Sequence, residues 1–172
     1  MKKIIGLLMI SAFILVGCGG NDKKSEEKED SIKLKSSQPE KEVKEKQDGV
    51  SEVYLTGNDK MKYNKTEIRV EEGDKVVLTF EHVGTMSVET MGHNFVLLKK
   101  GTDVQEFGQK AAEAQDNNYI PEDTEAIIVH TEMLGGGEKT EITFQAPEKG
   151  KYDYVCSFPG HLALMRGVFV VE

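Results

Sequence analysis

The segment 75–82, KVVLTFEH, sets Val76, Leu78 and Phe80 on one side of an extended chain and Val77 and Thr79 on the other. Side chains alternate faces along a strand, so this pattern fits a strand with one face in a core. The segment 139–146, KTEITFQA, repeats it, with Ile142 and Phe144 alternating with Thr and Glu. Short apolar runs stand at Val53–Leu55, Tyr63–Val70, His93–Lys99, Ala126–His130, Lys151–Cys156 and Gly167–Val171. Turn residues such as Gly57-Asn58-Asp59 and Gly73-Asp74 separate them. About eight short strands so punctuated predict an all-β, antiparallel Greek-key β-sandwich. One stretch departs from period two. Between Thr102 and Gln115, Val104, Phe107, Ala111 and Ala114 fall at helical spacing, with Thr102 or Asp103 placed to cap the start. That predicts one short external helix.

The N-terminal end belongs to a different regime. Lys2 and Lys3 precede thirteen residues, Ile4 to Val16, that are largely apolar. The stretch is too short for a comfortable membrane span and fits a secretory signal. Leu15-Val16-Gly17-Cys18 resembles a bacterial lipobox, which implies cleavage before Cys18 and lipid on its thiol. Residues 1–17 are thus expected to be a lipoprotein signal peptide, and residues 18–49 a lipidated Cys18 followed by a charged tether. From 19 to 48 there are eight Lys against nine Asp and Glu and no aromatic residue. Such a segment cannot bury enough surface to offset chain entropy, so it is expected to be disordered. Its r.m.s. reach would be roughly 30 Å. Residues 50–172 suit one domain; they hold 12 Lys and Arg against 21 Asp and Glu, a net of −9. With no basic patch, nucleic acid is not an expected partner.

With Cys18 lipidated, Cys156 is the only free thiol, in a compartment where an unshielded thiol oxidises. It opens CSFPGHLALM, in which Pro159-Gly160 forces a turn and His161 and Met165 follow. A thiolate, an imidazole and a thioether from one loop favour copper, and a second histidine would complete a His₂Cys set with a weak axial Met. His93 stands at the head of a strand and can supply it if that strand neighbours the one ending at Cys156. Asn94 follows, able to tie the two loops together. A Cys–His nucleophile would need an orienting group and an oxyanion site, and neither is visible. The LGGGE stretch at 134–138 lacks the Lys-Ser/Thr of a P-loop and reads as a hairpin turn. His130 reads as exposed.

MGHNFVLL, VHTEMLGGGEKTEITF, YVCSFPGHLALMRGVFVVE and LTGNDKMKYN together resemble the azurins, blue-copper cupredoxins, over essentially all of residues 51–172. The resemblance implies an eight-stranded cupredoxin fold, one type 1 copper per chain and one-electron transfer. It implies His93, Cys156 and His161 as equatorial ligands, Met165 as the axial ligand and the Gly92 carbonyl as a distant one. Asn94 and the Phe158 N–H would bond the Cys156 sulfur. Met91, Phe158, Pro159 and Leu164 would form an apolar docking surface around His161, which Met61 and Met86 would join. His82 falls where the family often has a pH-responsive histidine; a plain satisfied histidine at a strand end fits the same position.

Expected partners are redox proteins such as c-type cytochromes or copper reductases and oxidases, together with a membrane reached through Cys18. The expected place is the cell envelope, outside the cytoplasm. No coordination position is left for substrate, so an enzyme is not expected. Envelope copper storage, delivery or scavenging is the alternative function. Two departures stand out. The family's disulfide has no counterpart, its positions falling near Val53 and Gly73, where such a loss commonly costs about 2–5 kcal/mol. Phe95 occupies a position where the family commonly has Trp.

Overall fold

The computed structural model describes residues 49–122 and 125–172. The expected signal peptide, Cys18 and the tether up to residue 48 lie outside the described residues. Among the described residues, no helix is long and apolar enough to cross a membrane.

Among the described residues, nine strands form two sheets. They are β1 (Val50–Asn58), β2 (Lys62–Tyr63), β3 (Glu67–Val70), β4 (Lys75–His82), β5 (Val96–Leu98), β6 (Ile127–His130), β7 (Lys139–Gln145), β8 (Gly150–Val155) and β9 (Arg166–Val171). One sheet has the order β2-β1-β4-β7 and the other β3-β9-β8-β5-β6. The alternation in β4 does what it promised: Val76, Leu78 and Phe80 are fully buried. They meet Leu55, Phe95, Tyr154 and Phe169 in the core between the sheets.

Two expectations change. The pairing is not wholly antiparallel, because β1 runs parallel to β4 and β3 parallel to β9. The single strand expected over Tyr63–Val70 is two. Lys62–Tyr63 pairs with β1 in one sheet, and Glu67–Val70 pairs with β9 in the other. The chain switches sheets between them, and Tyr63 and Ile68 reach the same core from opposite sides.

The external helix is present as α2 (Val104–Glu113), following a one-turn α1 (Val88–Met91) that the sequence reading did not place. The Asp103 carboxylate caps α2 by accepting from the Gln105 and Glu106 N–H groups. Phe107 and Ala111 pack on Val96, Leu98 and Val155, with Leu162 of the loop after Cys156 against the same cluster. Burying Phe107 contributes on the order of 2 kcal/mol and fixes the helix beside that loop. The LGGGE stretch is not a hairpin, since β6 and β7 belong to different sheets. It is a crossover whose Gly137 N–H donates to the His82 carbonyl at 2.8 Å.

Candidate metal centre

His93 precedes β5 and Cys156 follows β8, and these strands are neighbours, with Val96 opposite Val155. The pairing brings the two residues to one end of the sheet. The loop after Cys156 then winds tightly. The His161 N–H donates to the Phe158 carbonyl at 3.0 Å, the Met165 N–H to the His161 carbonyl at 2.8 Å, and the Cys156 N–H to the Met165 carbonyl at 2.9 Å. Pro159 and Gly160 make this turn possible, and Gly160 has a φ of 81°.

His93, Cys156, His161 and Met165 are all buried, and His161 keeps only 3% of its surface exposed. The Nδ1 atoms of His93 and His161 are 3.2 Å apart. The Cys156 Sγ lies 4.0 Å from the first and 3.6 Å from the second. A point equidistant from the three atoms is about 2.1 Å from each, a bond length for a first-row metal to imidazole. Met165 closes the site beside His93; a Cβ on Gly57 would lie 2.9 Å from the His93 ring and 3.2 Å from the Met165 methyl. The absence of a side chain at Gly57 is therefore what lets both residues sit here.

His93 is held in the metal-binding tautomer. Its Nε2–H donates to the Asn58 carbonyl at 2.9 Å, so Nδ1 presents a lone pair inward. Burial pushes the Cys156 thiol up to about 11, while the N–H groups of Asn94 and Phe158 on its sulfur pull the other way. Burial lowers His161 to about 4, with His93 and His82 adding to the effect, and burial lowers His93 too. Both imidazoles are thus neutral and ready to ligate, and metal entry displaces one thiol proton. A soft sulfur pair with two imidazoles in a water-poor pocket fits copper.

The Gly92 carbonyl is 3.8 Å from the Cys156 Sγ. The Asn94 side chain donates to Ser157 Oγ at 2.8 Å and accepts from the Ser157 N–H at 2.9 Å, joining the two ligand loops. Phe158 packs on the His161 ring, centroids 4.7 Å apart. Leu164 and Met86 are 56% and 42% exposed, Pro159 is exposed, and Met91 is half-buried. Phe95 is fully buried against Tyr154. His130 is exposed, at the end of β6 opposite Val96.

Three neighbours were not anticipated: the Asn58 carbonyl, Ser157, and Tyr63, whose hydroxyl donates to the Asn94 carbonyl at 2.5 Å. His82 is fully buried and stacks on His93 with centroids 4.3 Å apart.

Residues 50–172 match the family described as copper binding proteins, plastocyanin/azurin family. The chain belongs to this family. Within it, the chain is 39% identical over 120 residues to azurin-1 of Alcaligenes xylosoxydans xylosoxydans, covering 67% of this chain and 93% of that protein. It is 37% identical over 117 residues to outer membrane protein H.8 of Neisseria meningitidis serogroup B, covering 66% of this chain and 63% of that one. Among solved structures, dithionite-reduced auracyanin from Roseiflexus castenholzii matches with a TM-score of 0.65 and 34% identity, over 72% of this chain and 99% of that one. The cofactor of this plastocyanin/azurin family member is copper, and His93, Cys156, His161 and Met165 form its type 1 site.

Proposed function

We propose that the chain is a membrane-tethered one-electron carrier, with copper alternating between Cu(I) and Cu(II) to supply the electron chemistry. The observation that carries this reading is the buried triangle of His93 Nδ1, His161 Nδ1 and Cys156 Sγ, with Met165 fully buried beside it. The chain's own part is to hold these atoms still. The Asn58 carbonyl fixes the His93 ring, the Asn94–Ser157 pair locks one ligand loop to the other, and the Asn94 and Phe158 N–H groups orient the sulfur. A frame that moves little when the charge changes lets electrons pass quickly. The Gly92 carbonyl, 3.8 Å from the Cys156 sulfur, would offer the metal a weak fifth contact.

Electrons leave through His161. Its ring is nearly covered, and exposed Pro159, Leu164 and Met86, with half-buried Met91, are the apolar residues against which a redox protein would dock. Partners are c-type cytochromes or copper reductases and oxidases. Lipid on Cys18 and a tether of about 30 residues hold the domain at the membrane; the relative named as an outer membrane protein supports an envelope location.

A spectroelectrochemical titration tests the carrier role. One electron per chain should be taken up and returned over repeated cycles without copper loss to a chelator. Copper release on each reduction would instead favour storage or delivery. For the anchor, labelled palmitate should enter the wild-type chain and not C18S.

A further inference from the structure

We propose that Asp59 is a positioning residue for the copper ligand His93, closing a belt around its ring and keeping a negative charge beside it. The inference rests on the copper-carrier reading above. Asp59 follows Asn58, whose carbonyl accepts from both His93 Nε2 and the Met61 N–H at 2.9 Å. The turn is braced by the Lys60 N–H on Asn58 Oδ1 at 2.9 Å and by Met61 at a φ of 53°. Within this turn, the Asp59 carboxylate points away to the segment that follows His82. It accepts from the Thr85 N–H at 2.9 Å, the Thr85 hydroxyl at 3.2 Å and the Met86 N–H at 3.3 Å. Hydrogen bonds to a carboxylate are about twice as strong as neutral ones, so this is a firm tie.

The segment so held carries the other grip on His93. The His82 ring stacks on it at an interplanar angle of 15°. His82 Nδ1 accepts from the Gly84 N–H at 3.0 Å, so Nε2 carries the proton and donates to the Met91 carbonyl at 2.8 Å. A Cβ on Gly84 would lie 2.0 Å from Asp59 Oδ1 and 2.6 Å from His82 Cε1, so only glycine lets carboxylate and ring close together. His93 is gripped on its edge by Asn58 and on its face by His82, and Asp59 joins the two grips. Its Oδ1 is also 4.0 Å from His82 Nε2, one ring away from the ligand. The Thr85 and Met86 N–H groups hold the Asp59 carboxyl below the usual range, so it stays charged at neutral pH.

The test compares the full chain with D59N, D59A and V171A, the last a core truncation at the far end of β9. In D59N the amide oxygen still accepts from Thr85, but the charge is gone. Both Asp59 variants should have a higher reduction potential than wild type, since a nearby negative charge favours Cu(II). D59A alone should lose copper to a Cu(I) chelator about tenfold faster. D59A alone should also broaden or lose the His93 Nε2–H signal in the NMR spectrum of the copper-free protein. V171A should lower stability and leave potential, retention and that signal unchanged. An unmoved potential in both Asp59 variants, or wild-type retention and signal in D59A, overturns the proposal. Failure of wild type itself to form a redox-active copper site would overturn the carrier reading instead.

Discussion

The Cys156 sulfur must be a thiol before copper arrives and a thiolate afterwards. Burial sets that thiol at about 11 and His161 at about 4 and lowers His93 as well, so near neutral pH binding expels one proton. Apparent Cu(I) affinity should therefore rise about tenfold per pH unit between pH 6 and 8, as read by competition with a chelator. A flat profile would mean that the thiol is not a ligand. The copper-free protein should show the opposite face of the same burial. An unfolded histidine takes up its proton near pH 6.5, whereas folded His161 resists until about 4. The unfolded chain then binds more protons as pH falls through this window, and stability drops by on the order of 2–3 kcal/mol. Urea unfolding of the copper-free protein at pH 7 and pH 4.5 measures it, and the drop should shrink in H161Q. The ligands were legible because Cys, His and Met are scarce, soft donors whose spacing in CSFPGHLALM has few other uses. The Asn58 carbonyl was not, because every residue offers one. His82 could be read two ways until its stack on His93 gave it a place.

At the scale of elements, strands with one buried face announced themselves, as β4 did through Val76, Leu78 and Phe80. Alternation says nothing of direction, so the parallel pairing of β1 with β4 was invisible. It also could not show that Tyr63 and Ile68 enter one core from two sheets, because both are simply apolar residues on an inward face. The four-residue α1 buries no side chain and so leaves no pattern. The ten-residue α2 was legible from its apolar spacing and from Asp103. Removing that cap in D103A should cost about 1 kcal/mol in thermal or chemical unfolding. Because α2 meets the ligand loop through an apolar cluster with Leu162 rather than through its cap, the visible spectrum of the copper form should not change. A shifted spectrum would mean that the cap reaches the metal.

Over the whole domain, metal site and chain entry lie at opposite ends of β1. Asn58, its last residue, holds His93, and Val50, its first, is where the preceding segment joins. Eight strand steps separate them by about 26 Å. Deleting residues 22–42 should slow electron exchange with a membrane-bound partner in the same vesicles and leave exchange with a soluble cytochrome unchanged. Equal rates in both assays would remove the tether from the account. Electron transfer by this domain depends on the thiolate–copper bond, and the visible absorption spectrum tests that bond most directly. With one equivalent of Cu(II), the wild-type chain should turn intensely blue, bleach with ascorbate and recover on oxidation, while C156S stays pale. A pale wild type, or a blue C156S, would contradict it.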